Sequence, residues 1–177
     1  DGGYNWDVQH SNEDESFWSV YFVSKDEGWV CGWSKVYHTD DGGLSWDQQN
    51  TPYCMGDFTD VFFINADTGW VVGTYEIVLR TVDGGNTWVK IQNSIWDGLC
   101  FYRVDFIDAL HGCAVGGDHY GQIGFIMITN DGGLSWTETT PANCEPLSGV
   151  DYVNPFIVWA CGRDGCALRS WDGGLTW

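Results

Sequence analysis

One six-residue phrase recurs along the chain at a nearly constant interval, and no other feature limits the possible folds as tightly. DGGLSW stands at 41–46 and again at 131–136, with DGGYNW at 1–6, DGGNTW at 83–88 and DGGLTW at 172–177. The leading aspartates Asp1, Asp41, Asp83, Asp131 and Asp172 are spaced by 40 to 48 residues. A period of about 40–50 residues is that of one blade in a β-propeller. Helical repeats of similar length exist, so the local pattern has to arbitrate. Between the boxes lie short β-branched and aromatic runs: SVYFV, GWVCGW and KVYHT in the first repeat, DVFFIN, GWVVGT and EIVLRT in the second. The gaps between them are Gly, Asp and Asn, and no segment sustains a helical period, so the runs are strands.

Each unit therefore reads as strands A, B and C, the DGG turn, and a strand D that begins at the Trp. A four-stranded antiparallel sheet per repeat makes the expected fold all-β, a β-propeller. The chain is one domain with repeats at about 7–46, 47–88, 89–136 and 137–177, and 1–6 is the remnant of a preceding blade. The phrase is a turn device. Its Asp accepts hydrogen bonds from backbone N–H groups just downstream, and its two Gly supply positive φ without a Cβ penalty. Thr39, Thr81, Thr129 and Ser170, two residues before each Asp, can brace it. The five box aspartates are accordingly read as structural, although isolated carboxylates in a repeat also invite a catalytic reading. Trp18, Trp33, Trp96 and Trp171 are the tryptophans the repeat does not explain.

The pattern [ST]-x-D-G-G-x-[ST]-W, three strands downstream of F…V-x-F…G-W-V-x-G, resembles the Asp-box or bacterial neuraminidase repeat. The photosystem II stability/assembly factor type of that repeat is the nearest likeness, best seen at Phe58–Trp88. The resemblance implies the propeller fold but is shared by sialidases, xyloglucan hydrolases, sortilin-type receptors and assembly factors, so it does not imply one activity. A sialidase would need three arginines clamping a carboxylate; of Arg80, Arg103, Arg163 and Arg169, two lie at equivalent positions beside the box, and YRVD at 102–105 lacks the Arg-Ile-Pro phrase. A xyloglucanase needs two carboxylates across a cleft, and no pair stands out. An assembly factor presents a basic patch to its client, whereas 3 Lys and 4 Arg are scattered here.

Charge narrows the partners. With 25 acidic and 7 basic residues the net charge is −18, which repels phosphate backbones and anionic lipid and excludes nucleic acid as a partner. No apolar run is long enough to cross a membrane as a helix, so no membrane insertion is expected. Seven cysteines occur without a CxxC pair and four His are scattered singly, so no metal and no cofactor is expected. Cys54, Cys100 and Cys144 fall in linkers ahead of strand A, and Cys31 and Cys161 at the end of strand B. That recurrence points to disulfides and to an extracellular or secretory-pathway location. Cys161 and Cys166, spanning the B–C hairpin of the last repeat in CGRDGC, are the expected bridge.

In a propeller the B–C loops gather on one face, where partners meet the ring. The candidate binding residues are Trp33 and Lys35, Tyr75 and Glu76, Asp118, His119 and Tyr120 in the longest loop, and Arg163 and Asp164. No catalytic residue is assigned. The expected function is a non-catalytic, secreted or cell-surface module for protein or glycan interaction or for scaffolding, with other copies or the remainder of the same polypeptide as further partners. The alternatives are a fragment of a xyloglucanase-type glycoside hydrolase and a photosystem assembly-factor-like chaperone. Because the phrase both opens and ends the chain, one copy is surplus to a closed four-bladed ring. The expectation is an open arc of a larger propeller of about six to eight blades, with unpaired edges at both ends.

Overall fold

In a computed structural model the chain is described over residues 3–11, 13–91 and 98–177; Asp1 and Trp96 lie outside these. Among the described residues fifteen strands form four antiparallel sheets, each drawn from consecutive strands. The first blade holds β1 (Ser19–Phe22), β2 (Gly28–Gly32), β3 (Lys35–Thr39) and β4 (Asp47–Gln48). The second holds β5 (Phe58–Phe63), β6 (Gly69–Gly73), β7 (Ile77–Thr81) and β8 (Val89–Lys90). The third holds β9 (Leu99–Phe106), β10 (Gly112–Asp118), β11 (Gly124–Thr129) and β12 (Thr137–Glu138). The fourth has three strands, β13 (Leu147–Tyr152), β14 (Val158–Gly162) and β15 (Ala167–Ser170). The only helical element among the described residues is a 3₁₀ turn at Arg163–Gly165. The protein is thus an all-β propeller, built as an open arc of Asp-box blades. β1, β5, β9 and β13 pack one against the next, which puts the first strand of each blade at the hub and the fourth at the rim.

The middle strands of the second and third blades are buried on both faces because those blades are covered on either side. Along β6, Trp70 and Val72 enter the core shared with the third blade, while Val71 between them enters the core shared with the first. The alternation of side chains in a strand produces this division directly.

The boxes of Asp41, Asp83, Asp131 and Asp172 close the same network. In the first blade the Asp41 carboxylate accepts from the Ser45 N–H (2.9 Å) and hydroxyl (2.6 Å), and the Thr39 hydroxyl donates to it (2.8 Å). The Gly43 N–H in turn donates to Thr39 Oγ1 (2.8 Å). Asp83, Asp131 and Asp172 repeat the pattern with Thr87, Ser135 and Thr176. The first box glycine of each blade, such as Gly42 at φ 76°, takes the left-handed conformation that a Cβ would penalise. Hydrogen bonds from Ser45 and Thr176 hold Asp41 and Asp172 at a pKa of about 2.

Blades are joined by aromatic stacking. Trp29 of β2 lies flat on Phe63 of the second blade (centroids 3.5 Å apart, 8° between planes), and Trp70 lies flat on Phe106 of the third (3.5 Å, 10°). Box residues Trp88 and Trp136 meet those phenylalanines edge-on at 5.9 Å. The indole N–H of Trp29 donates to the Gly84 carbonyl (3.2 Å) and that of Trp70 to Gly132 (2.9 Å), so each seam also engages the next blade's box. Gly69 and Gly112 make room: a Cβ there would sit within 2.5 Å of the Phe ring. The third seam has Cys113 where the Trp would be and Tyr152 in place of Phe, and the Tyr152 hydroxyl takes over the bond to the Gly173 carbonyl (3.2 Å).

Two expectations about cysteine are corrected. Cys161 and Cys166 are both free. Cys161 pairs with Ala167 in register, so Cys166 points to the opposite face of the sheet, against the core shared with the third blade. Neighbouring strands do not suffice for a disulfide when the Cβ vectors diverge. Cys100 falls inside β9 and not in a linker.

The buried Thr129 hydroxyl serves the Asp131 carboxylate and the Gly133 N–H together (2.8 and 2.9 Å). Thr129→Val, nearly the same shape, should therefore lower unfolding stability by about 1–3 kcal/mol, the cost of a stranded buried donor. Urea unfolding measures it.

Candidate functional site

Register puts the two ends of the blades to different uses. Thr39, Thr81 and Thr129, which open the boxes, pair with Gly28, Gly69 and Gly112 at the start of strand B. The opposite end carries the B–C hairpins and the first residues of strand A, since Phe58 pairs with Gly73 and Leu147 with Gly162. The boxes therefore occupy one face, and the hairpin tips and the hub ends of the inner strands form the other.

At that second face a cleft of about 230 Å³ is lined by Trp18, Thr59, Tyr102, Arg103 and Ser148. Trp18, Thr59, Tyr102 and Ser148 hold the same position in four successive blades, one residue after the exposed Phe17 and the buried Phe58, Phe101 and Leu147. The inner strands thus contribute one side chain each to a continuous row. The volume is below the 300–1,000 Å³ typical of a small-molecule site and suits a single side chain or a strand of peptide lying across it.

Arg103 is held across two blades: its guanidinium donates to the carbonyls of Thr59 (3.2 Å) and Tyr102 (3.1 Å) and stands 3.8 Å from Asp60. Asp60 is buried, and burial pushes its carboxyl pKa up. A perturbed carboxyl beside a cleft is a candidate acid or base, but both Asp60 oxygens are engaged. One accepts from the Ser19 hydroxyl of the first blade (2.7 Å), the other from the Val104 N–H of the third (2.9 Å). Asp60 is a tie among three blades. Burial also raises the Tyr102 pKa, keeping its hydroxyl protonated as a donor.

Around the mouth stand the hairpin residues. The rings of Tyr75 and His119 come within 5.2 Å and those of His119 and Tyr120 within 5.7 Å, making one aromatic group across the second and third blades. Trp33 stands exposed at the tip of the first hairpin. Four of the other five candidates are bound up in the fold. Lys35 pairs with Glu15 (2.5 Å), which also takes the Tyr37 hydroxyl (2.6 Å), and these two partners hold the Glu15 pKa at about 2. Glu76 accepts from the Gly98 N–H (2.7 Å). Asp118 accepts from the Gln122 and Ile123 N–H groups and so folds its own loop, which lowers its pKa. Arg163 donates to the Gly121 carbonyl (2.7 Å), tying the fourth hairpin to the third. Asp164 is exposed at φ 53°.

Trp33 and Ser34, Tyr75 and Glu76, and Asp164 all sit at positive φ without being glycine. These hairpins carry side chains where Gly or Asn would be less strained. For the exposed Asp164, replacement by Gly should raise stability by about 1 kcal/mol, the relief of a left-handed side chain, measurable by thermal unfolding. A loss instead would mean that the Asp164 side chain contributes to the fold.

Sequence reading named the hairpins and missed the cleft. One signal was available: Trp18 was left over by the repeat, and its counterparts Thr59, Tyr102 and Ser148 are the variable residue behind a recurring apolar one. Among the described residues no cluster of His, Cys, Asp and Glu is arranged to hold a metal ion, and no helix is long and apolar enough to cross a membrane.

A family profile described as Photosynthesis system II assembly factor YCF48 matches residues 53–138. No curated protein sequence matches the chain. Among solved structures, YCF48 bound to D1 peptide is 19% identical with a TM-score of 0.60, covering 92% of this chain and 81% of that one. YCF48 from Cyanidioschyzon merolae is 21% identical (TM-score 0.68), covering 93% of this chain and 55% of that one. The Niastella koreensis GH74 enzyme is 19% identical (TM-score 0.71), covering 87% of this chain and 27% of that one. This chain thus spans about half of the Cyanidioschyzon protein and about a quarter of the GH74 enzyme. The profile match covers the second and third blades, whose Asp-box repeats are similar to those of YCF48, and the likeness to the solved structures is one of fold.

Proposed function

We propose that the chain is a non-catalytic interaction module that holds an extended segment of a protein partner along the hub row of Trp18, Thr59, Tyr102 and Ser148. The observation that carries the reading is the lining of that cleft: Trp18, Thr59, Tyr102 and Ser148, one from each blade, with the Arg103 guanidinium next to Tyr102. Aromatic and Arg side chains are the residues that dominate protein interfaces. Arg103 is half-exposed, a local cation on an otherwise strongly acidic molecule. The solved YCF48 with a bound D1 peptide supports a peptide as the kind of ligand such a blade array takes.

The glycoside hydrolase alternative asks for two carboxyl groups about 5–9.5 Å apart flanking a sugar site. No carboxylate lines the hub cleft, and Asp60 beside it has both oxygens occupied by Ser19 and Val104. The chaperone alternative differs from our reading in the client. The proposed role does not depend on the compartment.

Peptides retained from a random displayed library, re-measured in solution by fluorescence polarisation, test the reading. Tyr102→Ala and Trp18→Ala should each weaken binding by about 30-fold, the loss typical of a central anchor, with unchanged thermal unfolding. Peptide binding indifferent to both changes would contradict the site. Xyloglucan turnover lost in Asp60→Asn would contradict the non-catalytic reading.

A further inference from the structure

A second cavity, of about 120 Å³, lies between the rim of the second blade and the box of the third. Its walls are apolar: Val82, Val89, Ile91 (the residue after β8) and Leu134 of the third box. Thr81 and Thr87 complete the lining, but both hydroxyls are turned to the Asp83 carboxylate (2.8 and 2.6 Å). Among the described residues of the lining, Arg80 alone carries a charge.

The Arg80 guanidinium lies against Gly132 of the third box, where a Cβ would stand 3.4 Å from Nη2. Its Nε is buried and meets no acceptor among the described residues, and none of their ion pairs includes it. The other three arginines are all engaged: Arg103 on two carbonyls, Arg163 on Gly121, and Arg169 against Trp159 and Trp171. A buried donor without an acceptor is costly, and more so when the group is charged.

The first blade serves as an internal comparison. His38 holds the Arg80 position there, one residue before the box threonine, and its Nε2 stands 3.4 Å from the Glu27 carboxylate. Glu27 immediately precedes β2, and Thr68 takes its place before β6. The second blade thus keeps the cation and lacks the carboxylate. The walls differ in the same sense: Asp40, Asp47, Gln49 and Asn86 stand where Val82, Val89, Ile91 and Leu134 stand one repeat later. Gln49 bridges its seam, donating to the Gly84 carbonyl (2.8 Å) and accepting from the Trp88 indole (3.0 Å); Ile91 has no group to do so. A polar seam between the first and second blades becomes an apolar hollow around a cation between the second and third.

We propose that this hollow binds a small aliphatic carboxylate, its oxygens on the Arg80 guanidinium and its hydrocarbon body against Val82, Val89, Ile91 and Leu134. The planar fork of a guanidinium matches a carboxylate, and the ligand takes the part that Glu27 plays in the first blade. Asp83 does not compete, since Thr81 and Thr87 hold its carboxylate in the box turn. Val82, Val89 and Leu134 are each more than half exposed, so the hollow opens to solvent. The space amounts to about four times a water molecule's share of the liquid, which limits the ligand to a short branched chain such as that of isovalerate. The site lies on the box side of the blades, away from the hub cleft, and is independent of the peptide reading.

Isothermal titration of the 177-residue chain with isovalerate, alongside thermal unfolding, tests this. Saturable binding is expected with a dissociation constant of about 1 mM, the range open to a ligand of so few atoms. Isovalerate should raise the unfolding temperature, and isovaleramide, of the same shape without the charge, should do neither. Arg80→Gln should weaken binding by about 10-fold or more, the loss of a hydrogen bond to a charged group. Thr68→Glu keeps Arg80 and restores the carboxylate of the first blade, so it should unfold at a higher temperature without ligand and lose isovalerate binding. No saturable binding by the wild-type chain up to about 20 mM, well above that constant, overturns the proposal. Equal binding of isovaleramide, or isovalerate binding unchanged in Arg80→Gln or in Thr68→Glu, overturns it as well.

Discussion

A tryptophan of one blade lying flat on a phenylalanine of the next is the contact on which the rest of the molecule depends. A single blade is too thin to bury both of its faces, so it is stable only between neighbours. The Trp29–Phe63 and Trp70–Phe106 stacks at 3.5 Å bring sheets together face to face, and the indole N–H ties that stack to the next blade's box. The box in turn is rigid because its Asp, Thr and Ser or Thr side chains satisfy one another and the backbone of the turn. Stacking, indole bond and box turn form one unit, repeated along the arc. Where Cys113 breaks the pattern, the Tyr152 hydroxyl keeps the bond to the box.

This division of labour explains why the opposite face can carry function. The boxes and seams fix the blades from one end, so the hairpins at the other end tolerate positive φ at Trp33, Ser34, Tyr75 and Glu76. The hub strands start at that same end, and their first outward side chains fall into a single row without any loop having to order. Asp60 and Arg103 hold neighbouring hub strands together beneath it. The site is therefore built on strands, which position side chains more firmly than loops do.

Strand order and the turn chemistry of the boxes were legible in the sequence because each is local: a period, an alternation, a spacing of two or four residues. The seams were not, since nothing in the runs around Trp29 and Phe63 says that residues of different repeats will stack. The cysteine pair shows the limit of proximity along the chain. Cys161 and Cys166 are five residues apart across a hairpin, but the pairing of Cys161 with Ala167 sends Cys166 to the other face. Lys35 looked like a loop cation and is instead committed to the buried Glu15. The hub cleft escaped notice because its members lie one per repeat, in or just before an ordinary-looking strand, and only the hub geometry gathers Trp18, Thr59, Tyr102 and Ser148.

A double-mutant cycle on Trp70 and Phe106 tests the seam most directly. Urea unfolding of Trp70→Leu, Phe106→Leu and the double variant should show a coupling of about 0.5–1.5 kcal/mol, the worth of an aromatic pair beyond its buried area. Effects that add to within about 0.3 kcal/mol would contradict the account, because the two rings would then stabilise the arc independently and the stack would be a consequence of blade packing rather than its cause.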